Sequence, residues 1–174
     1  MTDVKIKNFP QSLPRALESV ARLVPGYRGY AGKEDRRQED KRLRDQVART
    51  LREASQDLHR TLRTLPFAGL PPGIHRLGRV ADRIDRMVDD VMHAAYGYPG
   101  FFDPVRVDER RLELLYRADI AVAEAVQGVT AEAQAWIMNP DLESDGGDSL
   151  ANLELALDLA ETAWGARRQM LSEE

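Results

Sequence analysis

Apolar residues recur at steps of three and four along most of this chain, the spacing that places them on one face of an α-helix. The longest such seam predicts a helix over about 34–65, which Pro66 ends. Uninterrupted steps of three and four are typical of a helix that packs along a narrow, coiled-coil-like stripe. Its apolar positions are Leu43, Val47, Leu51, Ala54, Leu58, Leu62 and Leu65.

Three further seams predict long helices over about 74–95, about 109–138 and about 149–171. A shorter apolar face predicts a first helix over about 11–23, ended by Pro25 and Gly26. In the last helix additional apolar residues widen the face, so we expect that helix to be buried against two neighbours. These additional residues are Leu155, Leu159, Ala163 and Met170.

The predicted fold is all-α: an up-down bundle of four long helices plus a short N-terminal helix, forming a single domain over 1–174. Strand-like alternation and internal repeats are absent from the sequence. Trp136 and Trp164 fall on the predicted buried seams. Packing in the core is therefore the leading interpretation of both tryptophans, and a ligand pocket between helices is the alternative.

Charge is distributed unevenly over a chain whose net charge is −4. Residues 1–64 hold 15 Lys and Arg against 9 Asp and Glu, a net of +6, whereas residues 139–174 hold 2 against 9, a net of −7. This asymmetry could attract an anionic partner to the N-terminal half. Alternatively, the two ends attract each other or an identical subunit.

Candidate chemistry is sparse. The chain has no cysteine, which excludes disulfides, thiol catalysis and Cys-ligated metals. Its three histidines are His59, His75 and His93, and none forms the Glu-x-x-His pair of a di-iron bundle. No serine-nucleophile, phosphate-loop or EF-hand motif occurs. We therefore expect no cofactor and no bound metal, and the sequence favours a non-enzymatic role.

Membrane and export signals are also missing from the pattern. No window holds about 18 uncharged apolar residues, and the first ten residues lack the apolar run of a signal peptide. We therefore expect a cytoplasmic protein without a membrane span.

The stretch from Lys33 to Asp45 is rich in cations and could contact nucleic acid or an anionic lipid surface. Acidic residues alternate with these cations at spacings of three and four. Alternating signs are typical of a solvated, ion-paired helix face, and this pattern argues against a dedicated nucleic-acid-binding strip.

The segment Pro25 to Asp45 is unlike the rest of the bundle, because a Pro-Gly-Tyr-Arg-Gly-Tyr turn precedes a Lys-Glu-Asp-Arg-Arg helix start. It resembles a segment of uncharacterised bacterial helical proteins with a Pro-Gly-Tyr-x-Gly-Tyr turn and a Lys-Glu-x-Arg-Arg stretch. The resemblance covers about 25 residues and implies a shared helix-turn-helix entry, without implying an activity. The matching residues are Pro25, Gly26, Tyr27, Gly29, Tyr30, Lys33, Glu34, Arg36 and Arg37.

Two interpretations of this turn remain open at the sequence level. Tyrosine rings with polar tips serve both packing and recognition, so Tyr27 and Tyr30 could close the end of the bundle. The functional interpretation is a partner-binding surface, for which the candidate residues are Tyr27, Arg28, Tyr30, Arg36 and Arg37.

The leading functional hypothesis is a non-enzymatic helical bundle that acts through protein–protein contacts or self-association as a homo-oligomer. The first alternative is binding to nucleic acid or an anionic surface through the basic first long helix. The second alternative is a helical-bundle enzyme or small-ligand carrier, which requires convergent polar groups between helices.

Overall fold

Prolines and glycines set the helix ends that the structure shows. A computed structural model describes residues 17–27, 33–65, 71–94, 109–141 and 146–172. Its helices are α1 (Leu17–Leu23), α2 (Lys33–Thr64), α3 (Pro72–His93), α4 (Glu109–Met138) and α5 (Gly147–Ser172). Pro72 occupies the first turn of α3, where a missing N–H costs no hydrogen bond. After α1, Gly26 adopts a φ of 79°, which glycine tolerates best.

These bounds confirm the four predicted long helices to within about two residues. The N-terminal half of the predicted first helix, over about 11–16, lies outside the described residues. Within the described ranges every regular element is helical, which confirms the all-α class. No helix among these ranges is both long and apolar enough to cross a bilayer.

Contacts between helices define an up-down bundle built from two hairpins. α2 packs on α3, and α4 packs on α5. Arg76 pairs with Glu154 and Arg83 pairs with Glu161, so α3 and α5 run in the same direction side by side. α2 also lies beside α4, and α1 packs on α4. The four long helices therefore form a ring in which α5 has α3 and α4 as its two direct neighbours.

The predicted seams supply the core. Leu43, Val47, Leu51, Ala54 and Leu58 of α2 are all buried, whereas the seam frays near its end, where Leu62 and Leu65 are partly buried. Buried apolar residues of α3, α4 and α5 complete the core, among them Ile84, Val122 and Leu157. Both tryptophans lie in the core as predicted, with Trp136 0% and Trp164 4% exposed.

The predicted broad burial of α5 is wrong at Leu155 and Leu159, which are each 59% exposed. Ala163 is partly buried against the core, and α5 does contact two neighbouring helices as predicted. The residues of α5 that face the core are buried and stand at steps of three and four: Leu150, Leu153, Leu157, Ala160 and Trp164. Because successive residues turn by about 100°, positions 155 and 159 fall on the opposite side of this helix. No described helix covers that side, since α3 and α4 flank α5 instead.

The seam between α3 and α5 is held largely by ion pairs. Arg76 donates from Nε to Glu154 Oε1 at 3.0 Å and from Nη2 to Glu154 Oε2 at 2.6 Å, a bidentate geometry. Seven residues further along α3, Arg83 Nη2 donates to Asp158 Oδ1 at 2.5 Å and to Glu161 Oε2 at 2.7 Å. These contacts neutralise part of the acidic region 139–174 with arginines of α3. The basic region 1–64 is therefore not the only source of cations that pair with the acidic C-terminal region.

Leu157 and Leu155 offer a matched test of the two sides of α5. Leu157→Ala empties a fully buried site, so we expect the free energy of unfolding to fall by about 2–5 kcal/mol. Leu155→Ala removes an exposed side chain and should change it by no more than about 0.5 kcal/mol. Urea denaturation of both variants measures the difference. Equal losses would show that the outer side of α5 is covered.

Glu154 should contribute to the acid sensitivity of folding. The bidentate Arg76 guanidinium lowers the pKa of this carboxyl below its ordinary value near 4.5. A depressed pKa means that the stabilisation is complete above the unfolded-state pKa and is lost as pH falls through the folded-state value. Because the pair is partly exposed, we expect at most about 1 kcal/mol.

The measurement is the free energy of unfolding of wild type and Glu154→Gln between about pH 6 and pH 3. The variant should lose less stability than wild type over that interval. Glu53→Gln, which alters an exposed glutamate of α2, serves as the control and should keep the wild-type acid sensitivity. A Glu154→Gln profile that parallels wild type would contradict the expected contribution.

Candidate functional site

The turn after α1 places Tyr27 in the interior of the molecule. Tyr27 is 5% exposed, and its hydroxyl donates a hydrogen bond to Asp119 Oδ2 at 2.9 Å. Its backbone N–H donates to Val24 O, so a short turn through Gly26 fixes the ring against α4. Of the two interpretations of this turn, the position of Tyr27 agrees with closing the end of the bundle.

Asp119 belongs to a network of buried charges centred on Arg167 of α5. Arg167 Nε donates to Asp119 Oδ1 of α4 at 2.6 Å, and Arg167 Nη2 donates to Asp40 Oδ1 of α2 at 2.9 Å. The three side chains are at most 3% exposed. Arg167 also lies over the ring of Trp164, with its central carbon 5.6 Å from the ring centroid, which is a cation–π distance. One guanidinium thus joins three helices.

Arg44 extends the network to the end of α3. Its Nε donates to Asp40 Oδ2 at 3.0 Å, and its Nη1 donates to the carbonyl oxygen of Ala94 at 3.1 Å. Ala94 follows the last residue of α3, where unsatisfied carbonyls favour a cation. The Asp40 carboxylate therefore accepts from two guanidinium groups, one on each oxygen.

Charge balance makes this network tolerable in the interior. Arg44 and Arg167 supply two positive charges, which Asp40 and Asp119 neutralise. Burying ions costs several kcal/mol each unless they are paired and hydrogen-bonded, and these groups meet both conditions. Since reagents in solvent do not reach them, the arrangement is suited to fixing helix positions, and it lacks the access that catalysis needs.

The other candidate residues of the turn segment are placed differently. Arg37 is exposed near the start of α2. Arg28 and Tyr30, and the side chain of Arg36, lie outside the described residues. The structure therefore brings only Tyr27 of this set into contact with the buried network, and the partner-binding surface stays a prediction.

Sequence reasoning missed Asp119 and Arg167. Both lie on the buried side of their helix: Asp119 falls between Leu115 and Val122, and Arg167 falls between Trp164 and Leu171. Charged residues at core positions on two helices, with opposite signs, are the signal that could have found the pair. The Asp40–Arg44 spacing of four is a second signal, which the alternating charge pattern assigns to a solvated face.

Ser55, Asp85 and His59 resemble a catalytic triad only in composition. Ser55 Oγ donates to Asp85 Oδ1 at 2.7 Å, and His59 Nε2 lies 3.5 Å from Asp85 Oδ2. A triad needs the imidazole between the hydroxyl and the carboxylate, so that it can accept the hydroxyl proton. Here the carboxylate lies between them, so this arrangement does not activate Ser55.

No group of three or more His, Asp or Glu side chains that could hold a metal ion occurs in the described ranges. His93 is exposed, and its Nδ1 lies 2.9 Å from the carbonyl oxygen of Asp89. In α2, Arg42 pairs with Glu39 and Arg60 pairs with Asp57, but the predicted solvated face is wrong at Glu39, Asp40 and Arg44, which are buried.

Removing Arg167 should destabilise the fold strongly. Arg167→Met leaves the carboxylates of Asp40 and Asp119 buried without their shared guanidinium, which typically costs about 3–5 kcal/mol. Arg117→Met, which breaks the exposed pair with Glu113, should cost no more than about 1 kcal/mol. Guanidinium chloride denaturation measures both values. Similar small losses would show that the network does not hold the helices together.

The candidate site is thus an internal, charge-balanced joint among α2, α4, α5 and the turn after α1. Comparison of the chain with protein-family models, with curated proteins and with solved structures gave no match.

Proposed function

We propose that this protein is a non-enzymatic helical bundle that acts through protein–protein contacts, and that it does so by self-association through the outer face of α4 and α5. The observation that carries the proposal is the exposure of Leu155 and Leu159, both 59%, on a long helix of a charged protein. Leu114 of α4 is 47% exposed. Exposed large apolar residues on neighbouring helices are typical of an interface.

The α4–α5 outer face is defined by two stripes, one on α4 with positions seven residues apart and one on α5 with positions three, four and seven residues apart. On α4 the stripe lies roughly opposite Gln134, whose Nε2 is 3.5 Å from Asp57 Oδ2 of α2, so it points away from α2. On α5 the stripe lies roughly opposite Glu154 and Glu161, which face α3. The positions are Leu114, Ala121, Gly128 and Ala135 of α4, and Asn152, Leu155, Leu159 and Ala166 of α5.

None of these eight positions carries a charge. The nearest acidic residues of α5, Glu154, Asp158 and Glu161, are engaged by the arginines of α3. A second copy would therefore meet uncharged positions along both stripes, with the exposed Arg117 and Glu124, of opposite sign, at the edge of the α4 stripe. A partner selected by charge has no complementary group to recognise at these positions, so an identical face is the occupant that fits best.

The α5 stripe is also compatible with itself in an antiparallel pairing. About a two-fold axis, Leu155 of one copy lies opposite Leu159 of the other, and Asn152 lies opposite Thr162. The pairing gives two leucine layers flanked by two polar layers that can hydrogen-bond. Such polar layers fix register at a cost in affinity.

The area is sufficient for a reversible dimer. A face two helices wide and about 21 residues long measures roughly 20 Å by 30 Å. Two copies would therefore bury on the order of 1,200 Å², the lower limit of standard interfaces. Because the contacting side chains are mostly small, we expect a dissociation constant on the order of micromolar.

Sedimentation velocity between roughly 1 and 500 µM tests the proposal. Wild type should shift from monomer to dimer over this range. Leu155→Glu combined with Leu159→Glu should remain monomeric, because two carboxylates would be buried unpaired in the contact. Met138→Glu is the matched control, since Met138 is 81% exposed but lies off the outer face; it should dimerise as wild type does.

A wild-type protein that stays monomeric at the highest concentration would overturn the proposal. So would a double variant that still dimerises, because the contact would then lie elsewhere on the molecule. Circular dichroism of the variants verifies that the helices are intact.

A further inference from the structure

Ion pairs between α3 and α5 recur every seven residues at two positions, and the third pair of this series is not formed. Arg76 pairs with Glu154, and seven residues later Arg83 pairs with Glu161. Seven residues further, the same register aligns Asp90 with Arg168. Opposite charges stand at this third step too, yet no ion pair joins them, and neither is paired with any other residue that the structure describes.

A groove of about 430 Å³ lies where the third pair is missing. Its walls are Arg86, Met87, Asp89 and Asp90 of α3 and Glu161, Trp164, Gly165 and Arg168 of α5. Gly165 contributes no side chain, and a Cβ at that position would meet no atom within 4 Å. The volume falls in the range of small-molecule sites.

Trp164 gives the groove an aromatic wall. The residue is 4% exposed, so only a small part of its ring borders the groove. Its indole Nε1 is closed to solvent and has no acceptor among the described residues, as is also true of Trp136 Nε1. The groove therefore offers a bound molecule the indole ring of Trp164 and not its N–H.

The charges of the groove select the class of that molecule. Glu161 is already paired with Arg83, which leaves Arg86 and Arg168 against Asp89 and Asp90, a neutral but divided set. The two aspartates lie in the last turns of α3, where the negative end of the helix dipole also favours a cation. A simple anion or a simple cation would satisfy one wall and be repelled by the other.

We propose that this groove binds a small zwitterion of the free α-amino-acid type. Its carboxylate pairs with Arg168, its ammonium group pairs with Asp90, and the indole ring of Trp164 lies beside it. The ligand thereby completes the third step of the α3–α5 register. This site is independent of the α4–α5 outer face, since none of its residues belongs to that face.

The test follows the indole N–H resonance of Trp164 by ¹H–¹⁵N NMR during titration of the full chain. The probes are the protein amino acids, each to about 10 mM, with acetate and methylamine as single-charge probes. At least one amino acid should shift this resonance saturably, whereas acetate and methylamine should not. Trp136, which lies outside the groove, supplies the internal reference resonance, and Trp164→Phe assigns the two signals.

Substitutions on the two walls separate their roles. Arg168→Gln and Asp90→Asn, both at exposed positions, should each weaken binding of the responding amino acid at least tenfold. Arg63→Gln and Asp82→Asn are matched controls, because they remove the same charges from exposed positions outside the groove. Gly165→Leu fills the groove and should abolish the shift while Trp164 remains in place.

No saturable shift with any amino acid would overturn the proposal. An equal response to acetate would overturn it in favour of a plain anion site, and unchanged binding in Arg168→Gln or Asp90→Asn would place the ligand elsewhere. Dimerisation is measured separately, so failure here leaves the self-association result unaffected.

Discussion

The arrangement of helices depends on one buried guanidinium. Arg167 needs two carboxylates to be tolerable in the interior, and it takes them from different helices, Asp40 of α2 and Asp119 of α4. Hydrophobic burial alone permits helices to slide or rotate by small amounts at low cost. A fixed fork of N–H groups does not, because a shift of one residue would separate the donors from both acceptors. The pair of contacts therefore fixes the relative heights of α2, α4 and α5 at one end of the bundle.

The buried network around Arg167 explains part of the unusual segment Pro25 to Asp45, because Tyr27, Asp40 and Arg44 of that segment belong to the network. The Tyr27 hydroxyl donates to the Asp119 carboxylate. Arg44 donates both to the second oxygen of Asp40 and to the carbonyl oxygen of Ala94 at the end of α3. The turn after α1, the first turns of α2 and the end of α3 are thus connected through buried polar groups. Conformational specificity is a reasonable physical role for such a network, because apolar replacements of buried ion pairs are often equally stable.

Periodicity predicted the helices because each long seam repeats a local rule many times, from Leu43 to Leu58 in α2 for example. It failed for Leu155 and Leu159 because apolar composition does not reveal which side of a helix has a neighbour. It also failed for Asp119 and Arg167, since pairing across 48 residues is a tertiary contact with no local signature. The sequence of the turn after Pro25 could not distinguish a packing role for Tyr27 from a role in partner binding, because both use a tyrosine with a polar tip.

The same helix, α5, therefore presents three different environments. One side holds the core and Arg167, a second forms ion pairs with α3, and a third is apolar and exposed. Trp164 connects the first two, because its ring lies under Arg167 and the residue also lines the groove between α3 and α5. The Arg167 network holds α5 in place. The helix can therefore present the exposed Leu155 and Leu159 on one side, and the unpaired charges of Asp90 and Arg168 can face each other across the groove, without a loss of its position. Sites of this kind need a rigid support, since a flexible α5 would close the Asp90–Arg168 gap by moving toward α3.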